Sequence, residues 1–136
     1  MKIFLDANIL ISVLNKEYPV FSYSSRILSL NPKKFQLTTS PVCLAIAFYF
    51  SSKKSGSKAA KKKIEILMQH INITEINKEI VVDALKDKKV IDFEGGIEYY
   101  SALHSGCTCL VTEDNNDFYF SKIPVLGAEQ FLQQYL

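Results

Sequence analysis

Between Asp92 and Phe118 the chain reads DFEGGIEYYSALHSGCTCLVTEDNNDF, which holds six carboxylates: Asp92, Glu94, Glu98, Glu113, Asp114 and Asp117. A further acid, Asp6, lies in the apolar run KIFLDANILISVL near the start. Carboxylates brought to one place repel one another unless a proton or a cation lies between them. Mg²⁺ and Mn²⁺ favour oxygen ligands and keep water in their shell. Acids holding such an ion can activate water and clamp phosphate oxygens during phosphodiester cleavage. The set that could converge is Asp6, Asp92, Glu94, Asp114 and Asp117. Taken singly, each has a structural reading. Asp6 could cap a turn, and TEDNND is a reasonable loop.

Whether they converge depends on the elements that carry them. Lys2 to Leu5 reads as a strand, with Asp6 at its end; Asp6 or Asn8 could cap a following turn. Phe21 to Ser29 reads as a helix, broken by Asn31-Pro32. Ser40-Pro41 reads as a helix entry. Val42 to Phe50 is almost wholly apolar, which predicts a helix buried on most sides. SSKKSGSK interrupts it, and a helical pattern resumes over Ala59 to Gln69. A short strand over Asn72 to Ile76 precedes a helix led by Asn77. Asp92 is placed to cap a helix from Phe93 to His104, which Gly106 ends. Thr108 to Thr112 and Ile123 to Leu126 are the remaining strands, and Glu129 to Tyr135 the last helix. Strands separated by helices predict α/β layers with a mainly parallel sheet. Active sites in such sheets lie beyond the carboxyl ends of the strands, which is where both Asp6 and Asp114 fall.

The chain is long enough for one cored domain, taken as residues 1–136, and too short for two comfortable ones. No apolar run reaches the roughly 20 residues that span a bilayer. The N-terminal apolar run contains Asp6 and lacks a small-residue cleavage site, so it reads as a first strand in a cytoplasmic protein rather than a leader. Cys43, Cys107 and Cys109 are read as buried or half-buried free thiols. The net charge of +2 excludes little, but Lys53, Lys54, Lys58, Lys61, Lys62 and Lys63 crowd into one segment. They could track an RNA backbone, or form a solvated helix face. His104 reads as a surface histidine at a helix end, with no evident catalytic partner. Tyr49, Tyr99, Tyr100 and Phe48 read as core or interface aromatics. Neither GxGxxG nor a Walker-type lysine motif is present.

In order, FLDANILISVL, SPVCLAIAFYF, the acidic stretch DFEGGIEYYSALHSGCTCLVTEDNNDF and IPVLGAEQFL resemble the successive conserved regions of the PIN domain, a compact α/β/α metal-dependent nuclease fold. The resemblance covers nearly the whole chain. It implies a PIN-like three-layer α/β/α domain with a central, mainly parallel sheet. It also implies that Asp6 is the first metal-binding acid, that Asn8 supports it, and that Asp114 and Asp117 stand in the terminal acidic turn. Thr112 occupies a position where the family commonly has Ser or Thr, which could orient a nucleophilic water or a phosphate. Two positions depart from the pattern. Ile46 stands where the family often has Glu or Asn, and Gly95 where it usually has Asp. Glu98 lies three residues after Gly95, on nearly the same helix face, and could reach back toward Asp6 and Asp114; otherwise it is an exposed helix acid.

The function implied is a Mg²⁺- or Mn²⁺-dependent endoribonuclease with a degenerate carboxylate site. Asp6, Asp92, Glu98 and Asp114 would be its catalytic acids, and Asp117 a further metal ligand. The lysine cluster and Thr112 would contact RNA. The alternative is a catalytically inactive PIN-like module for binding RNA or protein. Many small bacterial members are toxin ribonucleases, so an antitoxin protein and a homodimer are the further partners implied.

Overall fold

The computed structural model describes all residues 1–136. Five strands form one sheet: β1 (Lys2–Leu5), β2 (Gln36–Thr39), β3 (Asn72–Ile73), β4 (Cys109–Val111) and β5 (Val125–Leu126). Their spatial order is β3-β2-β1-β4-β5, and every pairing is parallel. The chain first builds outward on one side of β1 and then returns to build on the other. The reversal of direction therefore falls between β1 and β4, which pair from Ile3↔Cys109 to Leu5↔Val111. In parallel sheets that crevice, at the carboxyl ends of the strands, is where ligands bind. Asp6 and the segment from Thr112 to Asp117 emerge there.

Seven α-helices cover the sheet: α1 (Ala7–Leu14), α2 (Val20–Leu28), α3 (Pro41–Ser55), α4 (Ser57–Leu67), α5 (Lys78–Lys86), α6 (Phe93–His104) and α7 (Ala128–Tyr135). Helices α1 to α4 and α7 pack as one connected group, and α5 packs with α6. The result is a three-layer α/β/α domain. Ile3, Phe4 and Leu5 of β1 and Cys109, Leu110 and Val111 of β4 are all fully buried. Such continuous apolar runs mark central strands covered on both faces. No helix is long and apolar enough to cross a membrane.

Several expectations need correction. The run after Asp6 forms a full helix rather than a turn, and Gln36–Thr39 forms a strand ahead of the helix entry. Helix α3 runs unbroken to Ser55, through the first lysines, with Gly56 at φ 87° separating it from α4. It is not buried on most sides. Its buried residues are Cys43, Ala47 and Ser51, spaced by four along one stripe, while Tyr49 and Phe50 are exposed. Ser40, Asn77 and Asp92 cap α3, α5 and α6 as expected, their side chains accepting from Cys43, Ile80 and Gly95 N–H groups. All three cysteines are free and buried.

The two glycines at the start of α6 have different causes. A Cβ on Gly96 would lie 2.5 Å from Val90 Cγ1 and 3.3 Å from Ala84 Cβ. Gly96 is therefore what lets α6 approach α5 and the turn before it. A Cβ on Gly95 would instead meet Asp92 Oδ2 at 3.2 Å and the Asp117 carbonyl at 3.7 Å, on the acidic side.

Candidate metal centre

Asp6 is fixed by the end of β1 and by its neighbours. Its N–H donates to the Val111 carbonyl at 3.0 Å, tying it to the end of β4. Oδ1 accepts from Ala7 N–H at 2.7 Å. Oδ2 accepts from the Thr112 hydroxyl at 2.8 Å, with Asn8 Nδ2 at 3.5 Å. The Thr112 oxygen in turn accepts from Asn8 Nδ2 and Asp114 N–H, each at 3.0 Å, and Asn8 Oδ1 accepts from Glu113 N–H at 3.1 Å. Residues from two chain segments thus hold Asp6 in one orientation and place Asp114 beside it. Thr112 is fully buried, and its hydroxyl is engaged on every side. It acts on Asp6 from behind rather than facing a phosphate in the open.

The opposite wall belongs to α6 and α3. Asp92 caps α6, with Oδ2 accepting from Gly95 N–H at 3.3 Å. One turn deeper is Glu98, only 2% exposed, so it is no surface helix acid. Its Oε1 has no hydrogen-bond partner. The Cys43 thiol of α3 lies 3.8 Å from Asp6 Oδ1, and ligand atoms of Asp6, Cys43 and Glu98 all lie within 4.8 Å of one another. Burial, the charge of Asp6, a hydrogen bond with Asp6 and the charge of Glu94 together push the Glu98 carboxyl up to about 9. At neutral pH without a cation, Glu98 therefore keeps its proton. Burial, then Glu98 and Asp6, also push the Cys43 thiol well up.

These groups meet in a cavity of about 170 Å³. Asp6, Asp92, Glu94, Glu98, Asp114 and Asp117 all line it, so every carboxylate proposed from the sequence is brought together there. The outer four are exposed and the inner pair is not. Glu94 is raised by partial burial and by Asp92, Asp6 and Asp117. Asp117 is raised by slight desolvation and by Asp114, Asp92 and Asp6. Ile46 forms an apolar wall where a further acid would stand, and Gly95 presents only backbone. The donor set is rich in carboxylate oxygen, and one buried oxygen has no partner. That arrangement fits a hard divalent cation set against Asp6 and Glu98, with Asp92, Asp114 and Asp117 at the rim.

The lysines lie elsewhere. Lys54 Nζ donates to the Asn15 carbonyl at 2.7 Å, and Lys63 Nζ to the Leu14 carbonyl at 3.2 Å, so both cap the end of α1. Lys53 Nζ sits 4.6 Å from the centre of the Tyr49 ring. Lys58, Lys61 and Lys62 are exposed on α4. None of the six lines the acidic cavity. His104 does have an acidic partner, Asp83 at 2.8 Å, on the exposed surface between α5 and α6. Sequence reasoning misses Cys43 as part of the site. The available signal is its spacing of three from Ile46 on one helix face.

Comparisons with known proteins agree with this fold. A family profile described as PIN domain matches residues 2–116. A search of curated proteins found no significant match. Among solved structures, VapBC2 from Rickettsia felis, bound to a DNA fragment from its promoter, is similar with TM-score 0.74 and 18% identity, covering 92% of this chain and 97% of that one. VapBC-1 from nontypeable Haemophilus influenzae is similar with TM-score 0.70 and 18% identity, covering 95% and 99%. Mycobacterium tuberculosis VapC20, described as a Sarcin-Ricin loop cleaving toxin, is similar with TM-score 0.63 and 16% identity, covering 79% and 86%.

Proposed function

The chain belongs to the PIN-domain family, and from that premise we propose that it is a Mg²⁺- or Mn²⁺-dependent endoribonuclease whose carboxylate site has been rearranged. The observation that carries this is Glu98: a buried carboxylate whose Oε1 has no partner, set against Asp6 at the switch point of the sheet. A buried polar oxygen left without a partner is costly, and a divalent cation held by Asp6 and Glu98 would supply one. A bound ion would supply a lowered pKa for its water and charge neutralisation at the phosphate. Asp6 would be the fixed ligand, oriented by Thr112 and Asn8. Glu98 would stand in for the side chains absent at Gly95 and Ile46. Asp92, Asp114 and Asp117 would hold the ion's waters and set the approach of an RNA strand. Hydrolysis would form a bond from water oxygen to phosphorus and break one phosphorus–ribose oxygen bond.

The site of RNA contact on this reading is the cavity mouth, with exposed Lys58, Lys61 and Lys62 as a separate electrostatic patch. The exposed Tyr49 and Phe50 of α3 offer an apolar face for a second copy or an antitoxin. One solved relative, VapC20, is described as a toxin, which supports the partner class by fold alone.

A second reading rests on Ile46 and Gly95: an inactive module that keeps the fold and binds RNA or protein. Calorimetry with Mn²⁺ distinguishes the two. The nuclease reading expects binding by the intact chain, lost in Asp6→Asn and weakened in Glu98→Gln, together with Mn²⁺-dependent cleavage of RNA oligonucleotides by the wild type only. Absence of binding to the folded chain at millimolar Mn²⁺ would leave the inactive module.

A further inference from the structure

We propose that Asp6, Cys43 and Glu98 form a mixed thiol–carboxylate seat, beneath the acidic rim, for a thiophilic divalent cation of the Zn²⁺ class. The seat takes its location from the metal-site reading above and is independent of RNA cleavage. Two observations carry it. The first is geometric. Cys43 Sγ is 3.8 Å from Asp6 Oδ1, and one ligand atom from each of the three residues lies within 4.8 Å of the others. Tetrahedral zinc with Zn–S of about 2.3 Å and Zn–O of about 2.0–2.2 Å places its sulfur and oxygen ligands roughly 3.5 Å apart. The three groups could converge on one ion with shifts of well under the length of a side chain.

The second observation is Glu98 Oε1. It is a polar atom on a side chain 2% exposed, and it has no hydrogen-bond partner. Cys43 is fully buried on the same floor, so a cation there would be shielded from water on the α3 side. The rim offers only oxygen from Asp92, Asp114 and Asp117 and suits Mg²⁺ or Mn²⁺. The floor offers sulfur as well, and thiolate ligation favours Zn²⁺ and Co²⁺ over Mg²⁺. Depth in the cavity would thus sort cations by softness. Occupation of the floor by Zn²⁺ would commit Asp6 and displace the harder ion. The thiol and carboxyl protons leave to solvent as the ion enters.

The test uses the full chain, stripped with chelator, and Co²⁺ alone as the spectroscopic probe. The expected result is a near-ultraviolet sulfur-to-cobalt charge-transfer band that saturates at one equivalent. Cys43→Ser should abolish the band and weaken Co²⁺ binding by about tenfold or more, because a hydroxyl is a poor substitute for thiolate, and should weaken Mn²⁺ binding less, because the harder ion gains little from sulfur. Glu98→Gln should weaken the band without removing sulfur. A folded wild type that binds Co²⁺ by calorimetry yet shows no band would overturn the proposal and leave the oxygen-only site intact. A band that persists in Cys43→Ser would overturn it too, by placing the ion on another thiol. Failure of both Co²⁺ and Mn²⁺ to bind would overturn this proposal and the nuclease reading together.

Discussion

Asp6 and Glu98 are two carboxylates on facing walls of one cavity, and their surroundings are opposite. Asp6 accepts hydrogen bonds from Ala7, Thr112 and Asn8, and stands at the end of a strand locked to its neighbour. Glu98 is buried more deeply, has an oxygen with no donor, and holds a proton up to about pH 9. The strand side of the site is built to keep a charge in place without a ligand. The helix side keeps an acid that stays protonated at neutral pH unless something positive arrives. Binding capacity therefore resides in the contrast between the walls rather than in the number of acids.

Removing the fixed charge should break the site most severely. Asp6→Asn is expected to lower Mn²⁺ affinity by at least about 100-fold, since even residues that merely support a ligand are typically worth 10–100-fold. Calorimetry checks this, with circular dichroism showing that the fold survives. Glu98 should respond in the other sense. Its folded value of about 9 lies above the ordinary 4.5. Between those values the folded chain retains a proton that the unfolded chain has lost. Stability is thus independent of this group below about pH 4.5 and declines as pH rises toward 9. Glu98→Gln should flatten that decline and make the metal-free protein more stable than wild type at pH 8, by on the order of a few kcal/mol. Urea denaturation at pH 5 and pH 8 reads the difference, and an unchanged slope would refute the protonated Glu98.

Thr112 ties Asp6 to the acidic turn after β4 and, through its N–H, to β5. Thr112→Val removes the donor to Asp6, leaves Asp114 N–H without its acceptor and leaves Asn8 Nδ2 only the longer contact to Asp6 Oδ2. The expected loss is about 1–3 kcal/mol of stability, with Mn²⁺ affinity reduced about 10–100-fold. If Thr112 instead touched phosphate directly, RNA affinity would fall while metal affinity held.

How much of this was legible in the sequence follows the same division. The strand side was readable, because Asp6 and Asp114 each follow an apolar run and position at a strand end is a local property. The sheet's parallel character and the caps at Ser40, Asn77 and Asp92 were readable for the same reason. What escaped was set by tertiary packing. α1 carries only one polar face residue in each turn and resembles a continuation of the strand's apolar run. β2 is four residues long and defined by pairing with β1. Burial of Glu98 depends on α3 closing over α6, which no spacing within α6 reveals. In sequence the Gly95-Gly96 pair is one feature. Only packing separates Gly96, pressed against Val90, from Gly95, which faces the acids.

That separation gives a sharper contrast between adjacent positions. Gly96→Ala should destabilise by about 1–3 kcal/mol through overpacking, because its Cβ would fall 2.5 Å from Val90 Cγ1. Gly95→Asp meets only the flexible end of Asp92 at 3.2 Å and the Asp117 carbonyl at 3.7 Å. It should fold, lose stability without metal through added repulsion, and bind Mn²⁺ more tightly, by roughly tenfold. Thermal melts with and without Mn²⁺ separate the two: the added ion should rescue Gly95→Asp beyond wild type and leave the Gly96→Ala deficit in place.

The smallest effects belong to the lysines, and they divide as well. Lys54 and Lys63 donate to the last carbonyls of α1, where a cation also opposes the negative end of the helix dipole. Replacing either by Met should cost about 0.3–1 kcal/mol in a thermal melt and do little to RNA affinity. Lys58, Lys61 and Lys62 are exposed on α4. Replacing all three by Gln should leave the melt unchanged and lower the salt dependence of RNA binding, by about 0.7 in log–log slope for each single-strand phosphate that is no longer neutralised. Titrations of a fluorescent RNA at two salt concentrations measure that slope. An unaltered slope would make the α4 lysines a solvated face and leave the acidic cavity to engage RNA through its metal ion alone.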